Sequence, residues 1–117
     1  STGKLNPTYE LLQTALEWSG ITRHFDSQLF ERFLLAYQQA GGIIDSACVQ
    51  PAFHCILGDW LNWLLYVVDR SANSKNPRKR KRGTEQFELV FPTLLRLQAL
   101  LPTLLALPLL QQPGSSK

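Results

Sequence analysis

Residues 53–68 read FHCILGDWLNWLLYVV, and this stretch decides the fold of the chain. Apolar side chains fall on nearly every side of a helix built from it, which is typical of a central helix covered by several neighbours. The strict alternation of a half-buried strand is absent. The helix should begin near Asp45, and Pro51 predicts a break or a kink close to that start. The polar residues 69–71 then return the chain to solvent.

Two shorter amphipathic helices are predicted upstream of this stretch. Each has an apolar stripe at helical spacing, a capping residue before it and glycine after it. The residues that start and end these helices are, in order, Asn6-Pro7, Gly20, Asp26 or Ser27, and Gly41-Gly42. The chain up to residue 70 therefore predicts three helices.

A polar, basic loop is predicted downstream, over residues 71–83, SANSKNPRKRKRG. Thr84 should cap a last helical region, which prolines at positions 92, 102 and 108 should cut into pieces. Residues 111–117 form a tail. The sequence thus predicts an all-α fold with about four main helices, in a single helical domain or subdomain over residues 1–110.

The composition, 44% hydrophobic and 18% charged, is that of a globular protein. The net charge of +3 comes largely from Arg78 to Arg82. This run could act in nuclear import or contact nucleic acid, but no aromatic residue interleaves with it, and we expect a solvated loop. The apolar stretch Leu97–Leu110 is too short to span a membrane and contains two prolines. We expect a cytoplasmic protein without a membrane partner.

Residues that could carry chemistry are few. Asp59 and Asn62 resemble the base and the metal ligand of a kinase catalytic loop, but their spacing is too short and they lie in an apolar helical run. Zinc ligands could come from Cys48, His54 and Cys55, with His24 distant, yet the spacings of known zinc sites are tighter. We therefore expect no catalytic residue and no metal site in this chain.

Four segments together resemble one enzyme family. Residues 6–20, NPTYELLQTALEWSG, resemble the stretch just after the metal-binding Asp of aminoglycoside phosphotransferase and choline kinase-like enzymes. Residues 33–42, FLLAYQQAGG, look like the next helix of that family. Residues 60–70, WLNWLLYVVDR, are similar to its Trp-Leu-x-Tyr helix, and residues 93–97 fit its last helix. The order and spacing of the segments match over roughly residues 5–105.

This resemblance implies a kinase-like fold of which the chain is the C-terminal helical lobe. The ATP-binding lobe and the catalytic residues would precede Ser1, so the chain alone is expected to be inactive and to hold no cofactor. ATP and Mg²⁺ would act in the parent enzyme. One wall of the acceptor pocket could carry over, formed by Glu17, Trp18, Trp60 and Tyr66. Expected partners are the N-terminal kinase lobe and a small-molecule substrate, and an oligomer is compatible with an uncovered apolar face.

A second reading belongs to another functional class. The chain could be a non-enzymatic helical module that binds a partner protein or nucleic acid, although we do not expect nucleic acid as its ligand. A detached lobe should leave a face of Trp and Leu uncovered, so it should be sticky or oligomeric. An independent module should be monomeric and unfold cooperatively.

Overall fold

The computed structural model describes residues 7–111, and over that range the chain is entirely helical. The helices, in chain order, are α1 (Pro7–Trp18), α2 (Ser27–Gln39), α3 (Ser46–Asn73), α4 (Pro77–Leu105) and the single-turn α5 (Pro108–Gln111). The predicted all-α class with four main helices is confirmed. Asn6 and residues 112–117 of the predicted tail lie outside the described residues.

Helices α3 and α4 form a long antiparallel hairpin, and the longest dimension of the protein is 59 Å. Buried side chains recur along α4 at intervals of three and four residues and along α3 at the same intervals up to Trp60, followed by an interval of seven to Val67, which is the spacing of a continuous helix–helix seam. These seam residues are Val49, Phe53, Ile56, Trp60 and Val67 on α3, and Val90, Leu94, Leu97, Leu101 and Leu104 on α4. The two helices of the hairpin thus pack like the two helices of an antiparallel coiled coil.

The three shorter helices pack near the end of the hairpin that is remote from its connection. Helix α1 packs on α3, α2 packs on α1, and α5 contacts α2, α3 and α4. The fully buried Phe30 and Leu34 bring α2 into the same hydrophobic core as Phe53 and Leu97. We call α1, α2, α5 and the turns that join α1 to α2 and α2 to α3 the body of the protein. The connection end of the hairpin therefore projects beyond this body.

Helix boundaries in the first half follow the capping residues. The Asp26 carboxylate accepts hydrogen bonds from the backbone N–H groups of residues 28 and 29, and Asp45 accepts one from the N–H of Ala47. These bonds satisfy donors that have no partner within the first helical turn. Gly20 and Gly41 end their helices at φ of +85° and +103°, where a side chain would be strained.

The prolines do not break the helices as predicted. Pro92 and Pro102 lie inside α4, so the predicted breaks there are wrong, and Pro51 lies inside α3, so of the predicted break or kink at this position the break is wrong. Each proline removes one backbone hydrogen bond and crowds the preceding turn, at about 3 kcal/mol. All three prolines are exposed, while the buried seam continues on both sides of each. Packing of the seam outweighs the local cost, whereas Pro108 does start a new helix.

The predicted loop over residues 71–83 is also wrong. Helix α3 continues to Asn73, only Ser74–Asn76 connect the helices, and α4 begins at Pro77. The Asn76 side chain accepts a hydrogen bond from the backbone N–H of Arg78 and caps α4. Thr84 does not cap the helix: it lies within α4, and its hydroxyl donates a hydrogen bond to the backbone carbonyl of Arg80. Arginine and lysine are good helix formers, so a run of them extends a helix once Asn-Pro has started it.

The close approach of α3 and α4 beside this connection depends on small residues. Gly83 is buried, and a Cβ atom there would lie 2.8 Å from the Cβ and 3.0 Å from the Oγ of Ser71. Among residues 7–111, α4 is the one helix that is long and apolar enough to cross a membrane, by length and composition alone.

Candidate functional site: two flanks of the helical hairpin

The body of the protein attaches to one side of the hairpin. The Tyr9 hydroxyl of α1 donates a hydrogen bond to the Asp59 carboxylate on α3. The Arg96 guanidinium of α4 donates to the backbone carbonyl of Ile21, in the turn after α1, at 2.5 Å. Helix α1 and the turn that follows it are thus anchored to both long helices at about the same level of the hairpin.

An aromatic surface adjoins this attachment, and we call it the aromatic flank: Trp63, Tyr66 and Arg70, on the same face of α3 as Asp59, together with Trp60 of the seam, whose ring stacks on Trp63. The Trp60 and Trp63 rings stack at 5.4 Å between centroids, inclined by 23°. Trp60 is 8% exposed, whereas Trp63 is 42% and Tyr66 55% exposed. The flank therefore begins with a buried ring and becomes open to solvent toward the connection.

Arg70 is the positively charged residue of the aromatic flank and contacts Tyr66. The Arg70 guanidinium lies 5.4 Å from the centre of the Tyr66 ring, and its Nη1 donates to the Tyr66 hydroxyl at 3.1 Å. A guanidinium over an aromatic ring is an attractive contact, worth about 0.5–1 kcal/mol at an exposed site. Trp63 has no such cation over it among the described residues, so its exposed ring is available to a positively charged ligand.

Asp59 provides the negative charge next to these rings. The hydrogen bond from Tyr9 to Asp59, the partial burial of Tyr9 and the negative charge of Asp59 together raise the pKa of the Tyr9 hydroxyl to about 12. The tyrosine therefore stays protonated as a donor at neutral pH and holds the carboxylate in place. Asp59 and Asn62 both lie on the exposed surface of the continuous helix α3, not in a loop between strands. This arrangement suits binding of a cationic group rather than proton transfer.

The four sequence-predicted pocket residues do not form one cluster. Trp60 and Tyr66 both belong to the aromatic flank. Glu17 and Trp18 are exposed at the end of α1, roughly 12–14 Å along that helix from Tyr9. Trp18 lies instead near Phe33 of α2, with ring centroids 6.5 Å apart. Sequence reasoning missed Tyr9, Trp63 and Arg70 as members of the site.

Cys48, His54 and Cys55 are the zinc-ligand candidates in the sequence of α3. The described residues hold no group of three His, Cys, Asp or Glu side chains placed to share a metal ion. Cys48 and Cys55 form no disulfide, and the Cys48 thiol lies 3.5 Å from the Asp45 carboxylate. His54 and Cys55 are exposed neighbours on α3. Cys48 thus lies beside the residue that caps α3, and His54 and Cys55 are side chains on its surface.

The opposite side of the hairpin carries a second surface, which we call the apolar flank: Leu61, Leu65 and Val68 of α3, with Phe91 and Leu95 of α4. Leu61 is two residues from Asp59 and therefore lies on the opposite side of α3 from the body. All five side chains are between 38% and 61% exposed. A shallow groove of about 290 Å³ continues this flank toward the connection, lined by Val68, Ser71, Ala72, Thr84 and Phe87.

Comparison with known proteins adds no identification. No family model, no curated protein and no solved structure matches this chain. The residues and their geometry are therefore the basis for assigning a function.

Proposed function

We propose that this chain is the C-terminal helical lobe of an ATP-dependent small-molecule phosphotransferase and that its aromatic flank forms part of the acceptor pocket. The observation that carries the proposal is the exposed, aromatic and negatively charged surface beside Asp59. Three of the four segments that resemble phosphotransferases lie within described helices or the turns that follow them, and the first begins at the start of α1. The ATP-binding lobe, ATP and Mg²⁺ belong to the proposed parent enzyme.

The chemistry of the aromatic flank favours an acceptor that carries both a positive charge and hydroxyl groups. A cationic amine is attracted to the face of an exposed tryptophan, and the effect grows when water is excluded. Asp59 adds a carboxylate for ion pairing, and Tyr66 adds a hydroxyl. In the parent, these groups would hold the acceptor hydroxyl in position for transfer rather than take part in bond making.

A binding experiment on the 117-residue chain tests the pocket. Choline and kanamycin, two hydroxylated cations, should quench tryptophan fluorescence saturably, while glucose should not. Trp63→Leu should weaken this binding on the order of tenfold, because it removes the exposed ring. Trp18→Leu is the matched control, since Trp18 is exposed but lies outside the aromatic flank. Equal responses of the two variants, or no saturable binding, would rule out the pocket.

Phosphate transfer by the chain alone is a separate test. The isolated chain should transfer no phosphate from ATP, because the base and the metal ligands of a phosphotransferase would lie in another part of the parent. Turnover that Asp59→Ala abolishes would instead show that Asp59 is catalytic. Turnover that Asp59→Ala leaves intact would reveal a different site in this chain.

The apolar flank favours a second candidate function. Five large apolar side chains exposed on one side of a hairpin are typical of a surface that contacts another molecule. On this reading the chain is a non-enzymatic helical module. Sedimentation velocity of the purified chain tests this reading together with the ligand titration: a module should be monomeric and show no response to choline or kanamycin, whereas a detached lobe should self-associate through its uncovered apolar surface and bind these ligands.

A further inference from the structure

The connection end of the hairpin carries an unusual concentration of positive charge. We call it the basic tip: Lys75 and Arg78–Arg82. No acidic residue occurs between Asp69 and Glu85. All six basic side chains are exposed, and none forms an ion pair with another described residue. The tip therefore projects from the body as a cluster of uncompensated cations.

The helical conformation fixes where these charges point. Successive residues of a helix are rotated by about 100°, so the run from 78 to 82 places cations all around the start of α4. Arg80 lies on the same side of α4 as Thr84, Phe87 and Phe91. Within the basic tip, Arg80 therefore shares the side of the hairpin that carries the apolar flank, with the groove beside Ala72 between them, and the other cations surround the start of α4.

We propose that this side of the hairpin binds the surface of an anionic membrane. The apolar flank would enter the boundary between headgroups and acyl chains, and the basic tip would contact the negative headgroups. Charge complementarity favours this occupant, because the six cations of the basic tip adjoin an exposed apolar surface and outnumber Glu88, an exposed acidic residue three positions before Phe91 on the same side of α4. The hairpin lies on the membrane and does not cross it, so the proposal keeps the expectation that no helix spans a membrane but replaces the expectation of a protein without a membrane partner.

Two other occupants fit these observations less well. The apolar flank extends about 10 Å along the helix axis from Leu61 to Val68 and is two helices wide, or on the order of 200 Å². A stable interface with a second copy usually buries about 800 Å² on each partner. Nucleic acid would attract the basic tip, but it offers nothing to the exposed leucines, and no aromatic residue interleaves with the cations for base stacking.

Vesicle sedimentation with the complete chain tests the proposal. The chain should sediment with vesicles of equal parts phosphatidylcholine and phosphatidylserine and should stay in solution with phosphatidylcholine alone. Replacing Arg78–Arg82 with glutamine should weaken this binding on the order of a hundredfold or more, because five surface charges are lost. High salt should weaken the wild type in the same direction.

Variants of the apolar flank separate lipid insertion from charge attraction alone. Leu61→Gln with Leu65→Gln should weaken vesicle binding by on the order of tenfold, since two inserted side chains become polar. Leu89→Gln, at a 43% exposed position on the side of α4 that carries the body, should bind like the wild type. Circular dichroism checks that each variant is folded, and the Leu61→Ala, Leu65→Ala pair provides a second test that keeps helix propensity.

Four results would overturn the proposal. These are equal binding to neutral vesicles, binding that survives the glutamine replacement, equal effects of the Leu61/Leu65 and Leu89 variants, and no vesicle binding. Salt-sensitive binding to duplex DNA without any vesicle binding would assign the basic tip to nucleic acid. A dimer that the Leu61/Leu65 variants dissociate, again without vesicle binding, would assign the apolar flank to a second copy of the chain.

Discussion

Substituting Gly83 with alanine tests whether the hairpin closes through direct contact of two small residues. The new Cβ would lie 2.8 Å from the Ser71 Cβ and 3.2 Å from the Ser71 Cα, whereas carbon atoms normally approach to about 3.5–4.0 Å. The helices must therefore separate locally by several tenths of an ångström or more. Overpacking of this kind destabilises a protein by about 1–3 kcal/mol.

The intrinsic preference of alanine for a helix acts in the opposite direction. Replacing glycine by alanine inside a helix stabilises it by about 1 kcal/mol. The net expectation for Gly83→Ala is a destabilisation of about 0–2 kcal/mol. Gly58→Ala on α3 is the matched control, because a Cβ there meets no atom within 4 Å, and this variant should gain about 1 kcal/mol. The two variants should differ by about 1–3 kcal/mol.

Urea denaturation of both variants and the wild type measures this difference. Adding Ser71→Gly removes the contacted Cβ and leaves the 3.2 Å approach to the Cα, so Gly83→Ala should be less destabilising in that background, with a coupling of about 1 kcal/mol in a double-mutant cycle. A Gly83→Ala protein that gains as much stability as Gly58→Ala would refute the close contact. A coupling near zero would show that the strain is relieved somewhere other than Ser71.

Three further outcomes can be checked on the same chain. Trp60→Ala should lower the free energy of unfolding by about 3–5 kcal/mol because it empties a core position, whereas Trp63→Ala should cost under about 1 kcal/mol, as measured by urea denaturation. The pKa of Tyr9 is raised to about 12 in the folded protein. The hydrogen bond from Tyr9 to Asp59 therefore contributes fully to stability below about pH 10 and contributes less as the pH rises toward 12. Tyr9→Phe should flatten that part of the pH–stability curve, and an unchanged slope would contradict the hydrogen bond. Replacing Arg78–Arg82 with glutamine should change the free energy of unfolding by less than about 1 kcal/mol, while replacing the run with glycine should cost several times more, because it begins a helix.

Local signals predicted much of the fold correctly. Asp26 and Asp45 cap helices in the structure, and Gly20 and Gly41 follow helix ends. The connection between α3 and α4 was misjudged although its signal was present: Asn76-Pro77 repeats the dipeptide that predicted the start of α1. The five cations after it were interpreted as solvated loop, because charge alone does not distinguish an exposed helix from a loop.

The proline errors have a different physical origin. A sequence shows the cost of a proline at position 51 or 92, but not the gain from the seam that continues past it. That gain depends on the partner helix, with Phe53 packed in the core beside residues far away in the chain. Tertiary packing of this kind routinely outweighs local preferences.

The division of the hairpin into two flanks depends on the same long-range information. Helical spacing alone puts Trp63, Tyr66 and Arg70 on one face of α3 and Leu61, Leu65 and Val68 on another. It does not say which face the rest of the chain covers. The bonds from Tyr9 to Asp59 and from Arg96 to Ile21 settle that question, because they fix the body on the aromatic side.

The two flanks make opposite demands on a ligand. The aromatic flank combines rings with the Asp59 carboxylate and therefore favours a small cation. The apolar flank adjoins the basic tip and therefore favours an extended anionic surface. Because the flanks lie on opposite sides of one rigid hairpin, a molecule bound at one does not block the other. Choline should consequently leave vesicle binding unchanged at constant ionic strength, and a loss of vesicle binding greater than that caused by the same concentration of sodium chloride would mean that both ligands compete for one surface.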